Sequence, residues 1–270
     1  MSGRWPRRVL TWGGPIVLGL GAISTAAWEG AGGEAERQIR QALLNELRPV
    51  ALKNCTLRRF GSRNDGGYLM CENLIEGVEA AYSYGVGPND EWGCDVSTRY
   101  RVPVHQYDCF DPARPACRTG NFIFHNECIG NRRQTVESRL FDTLANQIAR
   151  NGDSGKRLIV KIDVEGAEWD ALMATSDAVL ARIDQMPMEL HGTHERRFLQ
   201  VVQKLKRTFY VVNLHFNNYS CATETAPFPS RAYQVLLVNK RIGVVDRTSG
   251  APFPSALNAP DDPTRPDCQR

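Results

Sequence analysis

Between Ala80 and Val238, short apolar runs alternate with stretches of helical periodicity, and this alternation constrains the fold more than any other feature. The apolar runs are Ala80 to Tyr84, Val102 to Tyr107, Phe122 to His125, Arg157 to Ile162, Gln185 to Leu190, Phe209 to Leu214 and Tyr233 to Val238. Helical spacing lies between them. Asp95 to Tyr100 and Glu168 to Met173 are short examples. Thr135 to Arg150 repeats Val136, Leu140, Leu144 and Ile148, and Glu195 to Lys206 repeats Phe198, Val201, Val202 and Leu205. Strands separated by helices must cross over to pair in parallel, and such a sheet needs helices on both faces. The last two runs have only a loop between them, so they form a hairpin whose final strand is antiparallel. The expected architecture is therefore α/β: seven strands, mostly parallel, with a C-terminal antiparallel strand.

Outside this core, Glu34 to Leu52 reads as an amphipathic helix carrying Ile39, Leu43, Leu44 and Leu47, ended by Pro49. Leu57 to Leu74 is irregular around the turn Asn64-Asp65-Gly66-Gly67, with a short strand at Tyr68 to Met70. Beyond Ser249 the chain is proline-rich and irregular. The organisation is a head (1–36), one domain (37–250) and a tail (251–270).

In the head, Arg4, Arg7 and Arg8 precede 20 uncharged residues from Val9 to Trp28. A basic end followed by an apolar stretch fits a signal anchor or a cleaved signal peptide. The arginines would stay cytoplasmic, placing the domain on the other side of the membrane, either anchored or secreted. Eight cysteines suit an oxidising compartment. Cys221 and Cys268 lie in loop-like sequence and can pair, whereas Cys109 and Cys128 follow strands and read as small buried thiols. No CxxC pair occurs, so no metal site is expected. The 33 basic and 30 acidic side chains leave a net charge of +3, which gives no footprint for nucleic acid.

Open parallel sheets bind ligands beyond the carboxyl ends of their strands, so the residues there are the candidates. After the first strand, Gly85-Val86-Gly87 permits a tight turn and close approach to a ligand. A dinucleotide fingerprint would need a third glycine at Asp90. That position instead suits a cationic amino group, and a nicotinamide enzyme is disfavoured. Asp108, or its rival Asp111, can accept ribose hydroxyls. Asp108 stands 21 residues after Gly87, near the expected interval of about 20. After the fourth strand, Asp163, Glu165 and Glu168 crowd one short stretch around Gly166. Like charges that close need positive or hydrogen-bonding partners, although a helix start also favours them. Glu189, His191 and His215 follow at the next strand ends, with Asn217 and Asn218 beside them. Either imidazole has the chemistry of a general base.

These residues carry a resemblance. Ile162-Asp163-Val164-Glu165-Gly166-Ala167-Glu168 looks like the signature of FkbM-type methyltransferases. Arg59-Phe60-Gly61, Asn64-Asp65-Gly66-Gly67-Tyr68, Tyr82 to Gly87, Val104 to Asp108, Glu189 to Gly192 and His215 to Tyr219 extend the likeness in order from about Leu57 to Asn239. The resemblance implies a Rossmann-like class I domain using S-adenosylmethionine. Gly85, Gly87 and Asp108 would touch the cofactor, with Gly66 and Tyr68 packed beside it, and Asp108 is favoured over Asp111. It implies O-methylation of a hydroxyl on a small molecule or glycan. Asp163, His191 or His215 would be the base, and Glu165, Glu189, Asn217 and Asn218 would line the acceptor. The alternative is a membrane-anchored domain of the same fold that binds without catalysing.

Overall fold

The computed structural model describes residues 25–111, 117 and 119–268. The apolar stretch assigned to an anchor or signal falls almost wholly outside them. No helix among the described residues is long and apolar enough to cross a membrane.

The chain runs through α1 (Thr25–Glu46), the hairpin β1 (Leu57–Gly61) and β2 (Gly67–Cys71), then β3 (Ala80–Tyr84), α2 (Glu91–Tyr100), β4 (Val104–Tyr107) and β5 (Phe122–His125). Three short strands follow: β6 (Cys128–Ile129), β7 (Gln134–Val136) and β8 (Arg139–Asp142). Next come α3 (Leu144–Arg150), β9 (Leu158–Ile162), α4 (Glu168–Ala174), α5 (Asp177–Leu180) and β10 (Ile183–His191). The last regular elements are α6 (Arg196–Thr208), β11 (Phe209–Phe216) and β12 (Ala232–Asn239).

Seven strands form one mixed sheet in the order β11-β12-β10-β9-β3-β4-β5. Neighbours are parallel from β10 to β5, and β12 is antiparallel to both β10 and β11. All seven expected strands are present and the last is reversed. The order also turns back on itself: from β3 the chain adds β4 and β5 on one side, then returns to add β9 and β10 on the other. In open sheets of this kind the strand ends on either side of such a reversal, here those of β3 and β9, outline the crevice where ligands bind.

The two faces are covered unequally. On one face α1, α3, α4, α5 and α6 pack around Tyr82, Val160, Met188 and Leu237. The amphipathic stripe Phe198, Val201, Val202 and Leu205 of α6 is buried there, as its spacing predicts. On the other face only α2 takes part, with Trp92 and Val96, and the β1–β2 hairpin supplies Phe60, Tyr68 and Met70. Helices thus reach both faces, but a hairpin stands where a second helical layer was expected.

Three local expectations are corrected. The helix expected over Glu34 to Leu52 is α1, which ends at Glu46; Leu52 instead bridges to Val245. The helix expected over Thr135 to Arg150 is a hairpin followed by a shorter helix. Glu137 and Ser138 adopt φ of 48° and 64°, a turn that a continuous helix cannot contain. Thr143 then caps α3, its side chain accepting from the Asn146 N–H. Finally, Cys109 and Cys128 are not separate thiols. The eight cysteines form the pairs Cys55–Cys71, Cys94–Cys117, Cys109–Cys128 and Cys221–Cys268. The last is the pairing expected from loop-like sequence.

Residues 251–268 contain no helix or strand, as their composition predicts, yet they pack closely onto the domain. Asn64 Nδ2 donates to the Pro260 carbonyl (2.7 Å) and Asn213 Nδ2 to Asn258 Oδ1 (3.0 Å). Asn218 holds the Asp262 backbone through both its amide atoms. With the Cys221–Cys268 bridge, these bonds lay the segment across the carboxyl ends of β10 and β11 and the amino end of β12 between them.

Candidate functional site

The crevice begins at the turn after β3. Gly85 has φ +69°, and a Cβ there would lie 1.6 Å from the Asp163 carbonyl oxygen. Glycine is therefore required where β3 and β9 part company. Gly87 has φ +52° with open space where a Cβ would be. Its N–H donates to Asp108 Oδ2 (3.0 Å), while Asp108 Oδ1 accepts from the Phe110 and Asp111 N–H groups. The end of β4 is thus tied to the glycine turn. Asp90 is nearby but buried. Its Oδ1 caps α2 at the Gly93 N–H and its Oδ2 accepts from Gln106 Nε2, both at 2.8 Å. Its place is at the helix start, and both its oxygens have partners within the chain.

Asp163 forms the other wall. Its Oδ2 accepts from the Tyr68 hydroxyl (2.8 Å) and lies 3.6 Å from Lys161 Nζ. Lys161, buried one turn of the pleat back on β9, donates to the carbonyls of Tyr84 and Gly85. Burial, followed by the Asp163 charge, pushes the Tyr68 phenol well above its ordinary pKa, so it stays a donor. Gly66, at φ +78°, shapes the turn that brings Tyr68 and Asp65 here.

Glu168 organises the next strand end. It is fully buried at the start of α4, and its Oε2 accepts from the Gly166 N–H (2.8 Å). Its Oε1 accepts from the His191 backbone N–H (2.7 Å) and lies 3.2 Å from His191 Nδ1. Trp169 Nε1 donates to the His191 carbonyl. The imidazole is thereby clamped, with Nε2 3.6 Å from both Glu189 and Glu165. Burial alone would lower the His191 pKa. The Glu168 hydrogen bond and the charges of Glu168, Glu189 and Asp163 outweigh it and raise the pKa to about 9. Glu165, at φ +55°, leaves its side chain largely in solvent.

A polar row crosses the sheet one layer further on. Glu189 is directly opposite Gln234, and Gln234 is directly opposite His215. Glu189 accepts from Asn217 Nδ2 (2.7 Å). Its burial, and then the Asp163 charge, push the carboxyl well above the usual range. Asp261, from the irregular tail, sits on this row: Oδ1 accepts from Gln234 Nε2 (2.9 Å), and Oδ2 lies 3.8 Å from His215 Nε2. Burial and the Asp65 charge raise the Asp261 pKa to about 7. Burial lowers that of His215.

The sequence candidates Tyr68, Gly85, Asp163, Glu189 and His191 are therefore brought together. Gly87 and Asp108 form an adjoining unit. Asn217 orients Glu189, whereas Asn218 serves the tail. Asp261 and Lys161 escaped sequence reasoning. Asp261 lies in a proline-rich stretch set outside the domain, and Lys161 looks like an ordinary interruption of an apolar strand. The pair Asp261-Asp262, acidic and buried within that stretch, was the available signal. Two surface depressions, about 430 Å³ by Ser97 and Asn121 and about 560 Å³ by Met173 and Lys204, include none of these residues.

No family model matches the chain. No curated protein matches it either.

Proposed function

We propose that the chain is a Rossmann-like methyltransferase that uses S-adenosylmethionine to methylate a hydroxyl of a small molecule or glycan. The observation that carries this reading is the strand order. Seven strands, mostly parallel, with the final strand β12 antiparallel and the strand order reversing between β3 and β9, agree with the architecture that the resemblance to class I enzymes implies. Open space above Gly87 and a carboxylate fixed to its N–H at Asp108 fit a ribose-bearing cofactor at that turn. The bound cofactor supplies a methyl group on a sulfonium.

The chain supplies position and a proton acceptor. Among the three candidate bases, Asp163 borders the crevice and has Oδ2 occupied by Tyr68, leaving Oδ1 for the acceptor hydroxyl. His191 is clamped by Glu168 and orients the acceptor side. His215 is buried behind Asp261. The four disulfides support the non-cytoplasmic location expected from the N-terminal segment.

Calorimetric titration of the chain with S-adenosylmethionine, S-adenosylhomocysteine and NAD tests the reading. The first two are expected to bind and the third to fail. Asp108→Asn removes charge-assisted bonds of about 1.5–3 kcal/mol, so affinity should fall by roughly tenfold or more. Absence of binding by both sulfur compounds refutes the reading.

A further inference from the structure

The row across β10, β12 and β11 gathers carboxylates from three parts of the chain, with the Arg59 guanidinium acting on Asp261 from beyond ion-pair distance. One oxygen each from Asp65, Glu189 and Asp261 lies within 4.8 Å of the others. A second trio, Asp163, Glu189 and His191, meets the same limit and shares Glu189. Asp163 has Lys161 beside it and Glu189 has His191. Asp261 has only His215 within ion-pair range, and no ion pair is formed by Asp65 among the described residues.

A separate observation concerns the two most enclosed members. Asp261 Oδ2 and His215 Nε2 belong to side chains that are 0% and 4% exposed, and neither atom has a hydrogen-bond partner. Buried polar atoms are nearly always satisfied, so the unpartnered oxygen of Asp261, itself one of the trio, marks a place for another atom.

We infer that Asp65, Glu189 and Asp261 bind a hard divalent cation, with the unpartnered oxygen of the buried Asp261 carboxylate turned to it. Carboxylate oxygens select Mg²⁺, Mn²⁺ or Ca²⁺ over softer metals. The ligands come from three distant parts of the chain: the β1–β2 turn, a central strand and the C-terminal tail. The cation therefore staples the tail and the hairpin to the sheet. Glu189, shared with the Asp163 and His191 trio, places the cation beside the ends of β9 and β10. There it can ligate an acceptor hydroxyl, a role that rests on the methyl-transfer reading, whereas the site itself does not.

The test uses the full chain, freed of metal with a chelator and titrated separately with Mn²⁺, Mg²⁺ and Ca²⁺. Binding is read by calorimetry, by the loss of free Mn²⁺ signal in electron paramagnetic resonance, and by the thermal midpoint. One saturable site is expected for at least one of the three ions, with a raised midpoint. Asp261→Asn and Glu189→Gln should each weaken binding at least tenfold, and Asp170→Asn on the exposed surface of α4 should not. Asp65 is exposed, so Asp65→Asn keeps the test decisive if a core variant does not fold; it too should weaken binding at least tenfold. No saturable binding by any of the three ions overturns the inference, as does binding indifferent to Asp65→Asn. Metal binding without binding of S-adenosylmethionine would leave the site standing and remove the methyl-transfer reading.

Discussion

Replacing Glu168 by glutamine should remove the support on which His191 depends. The carboxylate is fully buried and gives acceptors to three N–H groups: Gly166, the His191 backbone and His191 Nδ1. Glutamine keeps one oxygen and turns the other into a donor, so one side of this arrangement must place N–H against N–H. The remaining bonds also lose their charge assistance. A rise in the His191 pKa from 6.5 to about 9 corresponds to about 3 kcal/mol at ~1.4 kcal/mol per unit. The sign follows from linkage. The folded pKa lies above the unfolded one, so this stabilisation is fully present below about pH 6.5 and is lost as pH rises through about 9. Glu168→Gln should therefore destabilise the domain more at pH 6 than at pH 10, by a difference of up to about 3 kcal/mol added to the pH-independent loss at the Gly166 and His191 backbone N–H groups. The assay is denaturant unfolding between pH 6 and 10 with chelator present, alongside NMR titration of the His191 ring. An unchanged His191 pKa in the variant, or equal destabilisation at both ends of the range, would refute the reasoning.

Gly85→Ala places a Cβ against the Asp163 carbonyl at positive φ; a loss of about 2–4 kcal/mol is expected from overpacking and strain, checked by thermal unfolding. His105 and His125 lie 3.1 Å apart, and burial lowers the pKa of both despite Asp153 beside His105 and Glu127 beside His125. The unfolded chain then takes up protons first, so stability falls as pH drops below about 6.5; NMR titration of either ring at or above 6.5 would contradict this. Removing the Cys221–Cys268 bridge opens a loop of 47 residues, worth about 4 kcal/mol by chain entropy. Limited proteolysis of Cys221→Ala/Cys268→Ala should cut first beyond residue 250, whereas the intact bridge should protect that segment.

Much of the sheet was legible because its strands are apolar runs with helices between them. Even the reversal of β12 followed from the lack of a helix between Phe216 and Tyr233. The stretch from Thr135 to Ile148 misled because a four-residue apolar spacing is shared by a helix and by a hairpin bent at Glu137 and Ser138. Only the backbone angles of those two residues separate the cases. The strand-end rule found Asp163, Glu189, His191 and His215, since each follows or ends an apolar run. It missed Asp261, which has no strand to announce it and is held at the site by its bonds to Gln234 and the Asp65 N–H and by those of its neighbours Pro260 and Asp262 to Asn64 and Asn218.

The tail's position also sets an order of events in biosynthesis. Asn64 and Pro260 are joined across 196 residues, and the bridge that fixes the tail needs Cys268. A nascent chain can pair β1 with β2 and β3 with β4 early. It cannot bring Asp261 over the strand ends until residues 258–268 have left the ribosome and Cys268 is oxidised. The sheet thus precedes the site, and a chain kept reduced or cut before residue 258 would have its architecture without the Asp261 carboxylate.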